Sequence, residues 1–431
     1  MTRWLSLAAL LLATPLAAAQ GVVARAPLPR ECLALVVEPG PDALGEVLDA
    51  YCRLFGWCWT ADTGAQRTLE GESPDWPAGL RDVRVVPENV HRFVSGLLAV
   101  HGLFVTSVEQ GSFVLLVLHA GPSRTVHDPI GVPQRVERSQ LAHAAGFPAL
   151  RIVCLIEQPT RERLELAEFM ARWTDGDELE KVLPIGTSQL LAGRARLVAT
   201  IERNARRILG AEVGELHPDD WPIRAPAVEL PPSELRPEDF LAGAPADWTV
   251  QGRLAGDELL AKLRELAPPL AEPSAAEREG LAAARIFVRP RAEVHGEQVS
   301  LLVETLLLAQ CRVLDVGTDA NPRGLVLRSW VPETKLAYRG RAPFVRADEL
   351  DRWRAHPALR VRTVVPVTHI GVEHAVRWAQ LWFQQGEWVR ASRLEAAQDA
   401  DGVEIHGPVA VVAAAAEWLR LADEANARRG Y

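Results

Sequence analysis

Apolar runs alternate with helical patterns in the first part of the chain after residue 30. Apolar residues recur at helical spacing from Asp42, and again after Pro87, which suits a first helical turn because it lacks an N–H. Gly102 can take the left-handed conformation that ends a helix. The pattern predicts a strand at Leu33 to Val37, a helix at Asp42 to Phe55, a strand at Val83 to Val86, a helix spanning Val90 to Leu98, and a hairpin of Leu103 to Val108 with Ser112 to Leu118 around Glu109-Gln110-Gly111.

The next segment has a simpler pattern, of the order βαββα. Its opening apolar run is typical of a buried strand, and each helical pattern that follows places large apolar residues on one face. The predicted elements are strands at Ile152 to Ile156, Glu180 to Leu183 and Gln189 to Ala192, and helices at Arg161 to Trp173 and Leu197 to Leu209.

The chain repeats itself at a separation of 209 residues. Pro148-Ala149-Leu150-Arg151 recurs as Pro357-Ala358-Leu359-Arg360, and Leu116-Val117-Leu118 recurs as Leu325-Val326-Leu327. A constant separation kept over about a hundred residues predicts two copies of one unit. The second βαββα set is expected at Val361 to Val365, Glu373 to Phe383, Val389 to Leu394, Val403 to Ile405 and Val409 to Ala422.

Each copy divides into two small domains. Between the copies, His217 to Pro245 contains seven prolines, a density that suits a semi-rigid linker. Because this linker offers few apolar groups, we expect the two copies to fold independently. The predicted segments are 1–19 as a leader, 32–120 and 130–210 as the first pair of domains, 211–246 as the linker, and 247–330 and 340–425 as the second pair.

The first nineteen residues have the features of a secretory signal peptide. Arg3 gives a positive start, Leu5 to Leu12 form a short apolar run, and Ala17-Ala18-Ala19 precedes Gln20 as a cleavage site. No later run approaches eighteen uninterrupted apolar residues, so no transmembrane segment is predicted. We therefore expect a protein that is periplasmic or secreted.

Each copy resembles the N-terminal periplasmic domains of bacterial secretins. The helix Leu44-Gly45-Glu46-Val47-Leu48 and the later helix, His-Gly and hairpin of Val90 to Leu118 resemble the short N-terminal domain of secretins and TonB-dependent signalling receptors. The βαββα segment resembles the secretin domain that follows it, and is similar in order to KH domains. The resemblance implies an α+β fold of four small domains in two tandem copies, and contact with proteins of the cell envelope or secretion machinery.

The chain departs from secretins in two respects. Secretins end in a long β-rich segment that forms an outer-membrane pore, whereas Tyr431 here follows directly on the last predicted helix. Secretins also usually carry one copy of the first domain. Pore formation is therefore not expected.

Composition and motifs point away from catalysis and from nucleic acid. The net charge of −9 and the lack of a Gly-x-x-Gly loop in the first copy argue against a nucleic-acid partner. His369 and His374 are five residues apart, which separates them by about 140° around a helix, unlike the paired histidines of zinc helices. Phosphate-binding and nucleophile motifs are absent. We predict no catalytic, metal-binding or cofactor-binding residues.

Cysteines and tryptophans provide the remaining candidate residues. Any disulfide is expected among Cys32, Cys52 and Cys58, which share one segment, with burial of all five cysteines as free thiols the alternative. Trp378, Trp382 and Trp388 are the candidates for an interface, because tryptophan is enriched at the centres of interfaces.

Three hypotheses follow for the function. The first is a non-enzymatic, exported adaptor that binds protein through sheet edges and helix faces. The second is a sensor of a ligand or signal, with a small molecule held between domains. The third is a hydrolase with an unfamiliar site. A pocket with convergent polar groups would favour the second, and clustered residues with shifted pKa values would favour the third.

Overall fold

The computed structural model describes most of the chain in segments. The described residues are 29, 31–35, 42–70, 83–120, 134–136, 138–145, 151–157, 181–185, 188–194, 197–203, 231–234, 236, 247–267, 270–318, 321–329, 342–369, 371–373, 375–376, 379, 393–397 and 402–427. They form an α+β protein with mixed sheets. We call residues up to 203 the first half and those from 231 the second half.

The first half opens with strands and helices around one apolar core. The first helix buries Val47, Leu48 and Tyr51 on its inner face and ends at Gly56, whose φ of 68° is left-handed. The elements are β1 (Leu33–Leu35), α1 (Ala43–Phe55), β2 (Cys58–Ala61), α2 (Thr63–Glu70), β3 (Val83–Val85), α3 (Val90–Val100), β4 (Leu103–Gln110) and β5 (Phe113–Ala120). After them come β6 (Gln134–Arg135), α4 (Leu141–Ala144), β7 (Arg151–Glu157), β8 (Lys181–Ile185), β9 (Ser188–Arg194) and a helical stretch, α5, at 197–203.

The second half also alternates strands and helices. Ser274 caps one of its helices by accepting the N–H of Glu277 at 3.2 Å. The elements are β10 (Trp248–Leu254), α6 (Gly256–Leu266), α7 (Ala275–Ala283), β11 (Ile286–Val294), α8 (Glu297–Ala309), β12 (Arg312–Thr318), β13 (Asn321–Ser329), a 3₁₀ helix at Ala347–Trp353, β14 (Arg360–Pro366), β15 (Arg393–Ala396), β16 (Gly402–Pro408) and α9 (Val409–Ala427).

One sheet joins the two halves. Among the described residues the strands form sheets of order β1-β3, β10-β11-β2-β5-β4, β12-β13, β14-β16-β15 and β6-β7-β9-β8. In the five-stranded sheet, β11 of the second half pairs with β2 of the first through Arg289 and Trp59. The five-stranded sheet thus contains strands from both halves.

The two apolar cores also meet across β5. Val114, Leu116 and Leu118 belong to the core of the first half, whereas the alternate residues Leu115 and Val117 belong to the core of the second. Helix α8 packs on β4 and β5 from that second side. A strand covered on both faces is apolar throughout, which accounts for the continuous run from Phe113 to Leu118. The premise of independent folding, that few apolar groups are buried between the copies, is therefore wrong, because both halves cover β5.

Two parallel pairings of the first half have similar pairings about 209 residues later in the chain. Trp59 pairs in parallel with Leu116 in the first half, and Leu270 pairs in parallel with Leu325 in the second. Likewise Arg135 pairs with Val153, and Phe344 pairs with Arg362, with both partners displaced by 209 residues.

Most predicted elements in the described segments are confirmed to within a few residues. The hairpin is longer than predicted, since Glu109 and Gln110 belong to β4 and the turn lies at Gly111-Ser112. Strands β2 and β6 and helices α2 and α4 were not predicted from the pattern, and no individual elements were predicted for residues 247–330. The predicted helix from Arg161 to Trp173 lies outside the described residues. In the described part of the chain, no helix combines the length and apolarity that a membrane crossing requires.

Candidate functional site

All five cysteines are free thiols, so the disulfide predicted among Cys32, Cys52 and Cys58 is not present in the structure. Cys32 is exposed, whereas Cys52 and Cys58 are buried. Burial raises the pKa of the Cys52 thiol and raises that of Cys58 to about 12. Thiols held protonated in this way are poor nucleophiles and poor metal ligands.

Several predicted site residues fall outside the described residues. These are the three candidate interface tryptophans, Trp378, Trp382 and Trp388, together with His374. His369 is described and exposed, and its backbone N–H donates to the buried carboxylate of Asp423 at 2.7 Å. Thr368 donates to the same carboxylate, so Asp423 of α9 fixes the loop after β14. Among the described residues, no cluster of three or more His, Cys, Asp or Glu could hold a metal ion.

A buried polar cluster lies where β2 ends beside the hairpin. His119 Nδ1 lies 3.2 Å from Asp62 Oδ2, and His119 Nε2 shares a hydrogen bond of 2.7 Å with Thr106 Oγ1. Asp62 Oδ1 accepts the backbone N–H of Ala65 at 2.6 Å, which orders the first turn of α2. Burial raises the pKa of Asp62 from its usual 3.8 to about 7, against backbone hydrogen bonds that lower it.

A hydroxyl, an imidazole and a carboxylate in a row also form the catalytic centre of many hydrolases. Here, however, His119 is 0% and Thr106 2% exposed, so neither can meet a substrate without opening of the core. The cluster can share protons internally and order α2. Its present geometry therefore supports a structural role and gives no support to the hydrolase hypothesis.

The corresponding cluster of the second half is ionic. Asp315 Oδ2 lies 2.7 Å from Arg328 Nε and accepts a hydrogen bond from Arg360 Nη1 at 3.3 Å, and Arg360 Nη1 also lies 3.0 Å from Oδ1. Burial raises the pKa of Asp315 above its usual value, and the two guanidinium groups act in the opposite direction. Asp315 and Arg328 follow Thr106 and His119 by 209 residues, so the same places in the fold hold different polar chemistry.

A charged clamp secures the junction between the halves. Arg289 of β11 donates to Asp42 at 2.8 Å and to Asp49 at 2.8 Å, and its guanidinium lies over the ring of Trp59. Trp59 Nε1 donates to the other oxygen of Asp49 at 2.8 Å. Asp49 is buried and Arg289 half-buried, which shields the contact with Asp49 from solvent, whereas Asp42 is exposed.

Strand β10 ends the five-stranded sheet. Its side chains alternate, with Trp248, Val250 and Leu254 buried and Thr249, Gln251 and Arg253 exposed. In the described part of the chain β10 pairs with β11 alone, so the polar backbone groups on its outer side have no strand neighbour there. A bulge between Val250 and Gly252 interrupts the register, a common feature of edge strands.

A second edge, beside β14, is covered by the chain itself. We call residues Pro231–Glu234 the strap and Pro343–Arg346 the Phe344 edge. The N–H of Glu234 donates to Phe344 O at 2.8 Å, and Glu234 Oε2 accepts the N–H of Phe344 at 3.1 Å. The N–H of Arg346 donates to Ser233 Oγ at 2.9 Å, and Arg362 donates to Glu234 Oε1 at 2.8 Å.

Sequence reasoning missed the Asp62 cluster, the Arg289 clamp and the strap. Many of their partners are far apart in the chain, as Arg289 and Asp42 are, and no spacing of apolar residues marks them. The one local signal was the Pro-Pro-Ser-Glu composition of the strap, which indicates an extended segment without naming its partner.

Comparisons with known proteins gave no match: no family model, no curated protein and no solved structure matches the chain.

Proposed function

We propose that the protein is a non-enzymatic, exported adaptor, built from a duplicated pair of small α+β domains, that binds a protein of the cell envelope or secretion machinery. The resemblance of each copy to secretin N-terminal domains and the signal-peptide features of residues 1–19 motivate the location and the class of partner. We expect no cofactor and no nucleic-acid partner.

The recurrence of strand pairings supports the duplication. The parallel pair Arg135 and Val153 has its counterpart 209 residues later in Phe344 and Arg362. The parallel pair Trp59 and Leu116 has a similar pair in Leu270 and Leu325, with the partners displaced by 211 and 209 residues. These pairings are what a duplicated unit would produce, and they support the repeat proposed from the sequence.

The edge strand β10 is the observation that carries the proposed binding role. An edge strand presents a row of backbone N–H and C=O groups that can pair with an extended segment of another protein. Its exposed side chains, Thr249, Gln251 and Arg253, stand beside that row, where they can select a partner. Protein binding through this edge requires no reactive group.

Site-specific photo-crosslinking in the native envelope tests this role. A photoreactive residue replaces Gln251 or Arg253 on β10, or, as matched controls, Asp257 or Glu258 on the exposed face of the adjacent α6. We expect one common protein adduct from both β10 positions, absent from both α6 positions and competed away by purified unlabelled protein.

Equal labelling from β10 and α6, or no adduct from β10 in full-length protein, would contradict the proposal. A substitution that leaves the fold intact but removes a measurable turnover would contradict it more strongly, because an adaptor has no step to lose.

A further inference from the structure

The Phe344 edge is paired on both of its sides. On its inner side Val345 donates its N–H to Arg362 O at 2.8 Å, and Pro343 O accepts the N–H of Arg362 at 2.9 Å. On its outer side the N–H and C=O of Phe344 both bind Glu234 of the strap. The strap therefore occupies the place of an added outer strand beside the β14-β16-β15 sheet.

The site that binds the strap is formed by backbone N–H groups and one guanidinium group. The backbone N–H groups of Phe344 and Arg346 point outward, and the Arg362 guanidinium, held over the Phe344 ring, completes the contact with the Glu234 carboxylate. Ser233 fits between, since its hydroxyl accepts from Arg346 N–H and donates to Glu349. Two outward N–H donors and a guanidinium select an extended segment with a hydroxyl residue followed by a carboxylate.

The contacts of the strap are more exposed to solvent than those at the junction between the halves. Pro231, Pro232 and Glu234 are exposed, and the contacts given above are hydrogen bonds and one ion pair at the surface. The junction between the halves, in contrast, buries β5 on both faces. Release of the strap would free the outward N–H groups of Phe344 and Arg346, whereas the inner pairing of Val345 with Arg362 does not involve the strap.

We infer that the Phe344 edge is a docking site for an extended acidic segment of a partner protein, bearing a serine or threonine followed by a glutamate or aspartate, and that the strap closes this site in cis. The inference rests on the proposed protein-binding function and assigns that function a second edge. Binding then requires the partner segment to displace Ser233 and Glu234, so the strap lowers the apparent affinity of the site for the partner.

Peptide binding to the full-length protein tests the inference. The probe is a fluorescein-labelled peptide with the sequence of residues 229–236, followed by fluorescence polarisation. With an effective strap concentration on the order of 1 mM and a peptide Kd on the order of 0.1 mM, the double variant Ser233→Ala, Glu234→Ala should bind the probe about tenfold more tightly than the wild type. A peptide with alanine at both positions is the control and should not bind.

The receiving residue gives a second arm. Arg362→Ala, added to the double variant, should weaken probe binding about tenfold, and Arg362→Lys should restore part of it. If the folded double variant binds the probe no better than the wild type, or if Arg362→Ala changes nothing, the docking site is refuted. The crosslinking from β10 would stand in either case, so the two proposals can fail separately.

Amide hydrogen exchange keeps the inference testable if the double variant does not fold. In the wild type, the outward amides of Phe344 and Arg346 should exchange at least tenfold faster than the inward amide of Val345, since strap opening exposes only the outward ones. Equal protection of the three amides would mean that the strap opens only with the whole domain, and would overturn the inference.

Discussion

The buried polar clusters of the two halves lie at corresponding places and satisfy burial in different ways. In the first half, Thr106 and His119 face Asp62, a carboxyl group whose pKa is raised by burial to about 7. In the second half, Asp315 lies between two guanidinium groups. A cluster that can be neutral tolerates the loss of one partner better than a cluster of ions, because an ion left behind keeps its full desolvation cost. The second half should therefore be the more sensitive to single substitutions.

The largest expected effect comes from removing the central carboxylate of the ionic cluster. Asp315→Ala leaves the guanidinium of Arg360, 6% exposed, without this partner, and should lower the free energy of unfolding by about 3–5 kcal/mol. Thr106→Ala, at the corresponding place in the first half, should cost about 1–2 kcal/mol because it removes one neutral hydrogen bond. Urea unfolding followed by circular dichroism at pH 7 measures both. Equal costs would contradict the contrast between the clusters.

A second pair of substitutions tests how far the halves depend on each other. Leu115 and Leu116 are neighbours in β5 with side chains in different cores, at 0% and 2% exposure. Each change to alanine should cost about 2–4 kcal/mol. Because β5 serves both cores, we expect one unfolding transition that shifts in both variants, with the same midpoint by tryptophan fluorescence and circular dichroism. Two transitions, of which each variant shifts only one, would restore independent folding.

The sequence predicted elements with strong periodicity and missed those without it. Helix α1 and the hairpin have clear patterns, and both are confirmed. Strand β2 has four buried residues and no alternation, so its short run after Trp57 did not predict a strand. The run from Phe113 to Leu118 predicted burial, but a pattern of apolar residues does not say which segment covers the second face. Long-range partners of this kind become visible only in the folded chain.

The same limit applies to the candidate sites. The alternative that all five cysteines are buried free thiols holds for Cys52, Cys58 and Cys154, but Cys32 is exposed and Cys311 is only partly buried. The interface tryptophans remain a prediction, since Trp378, Trp382 and Trp388 lie outside the described residues. The Phe344 edge and its strap depend on contacts across 110 residues or more, and no local spacing encodes them.

The pH dependence of stability tests whether the Asp62 cluster of the first half is neutral. The folded-state pKa of Asp62, about 7, lies above its usual 3.8, so the folded protein binds a proton here that the unfolded chain has lost between these values. The stability from this group is present below pH 3.8 and is lost as the pH rises through about 7. Asp62→Asn mimics the protonated form, so the wild type should lose on the order of 1–2 kcal/mol relative to this variant between pH 5 and pH 7.

Thermal unfolding of both proteins at a series of pH values measures that difference. A wild type that instead gains stability over Asp62→Asn as the pH rises would mean that Asp62 is ionised beside a protonated His119. The first cluster would then be ionic like the second, and the contrast between the halves would disappear.

The smallest expected effect concerns two residues with left-handed backbone, one just after helix α3 and one just after helix α8. Gly102 is the second residue after α3 and has a φ of 67°, and Cys311, the second residue after α8, has a φ of 53°. A left-handed conformation costs an L-residue about 1–2 kcal/mol, which glycine avoids, although glycine loses more entropy on folding.

Cys311→Gly should therefore raise the free energy of unfolding by about 0.5–1 kcal/mol. Gly102→Ala, where an added Cβ would meet nothing within 4 Å, should lower it by about 1 kcal/mol through the backbone alone. If Cys311→Gly destabilises the protein while Gly102→Ala behaves as expected, the packing of the Cys311 side chain against the second core outweighs its backbone strain, and the two helix ends differ in what stabilises them.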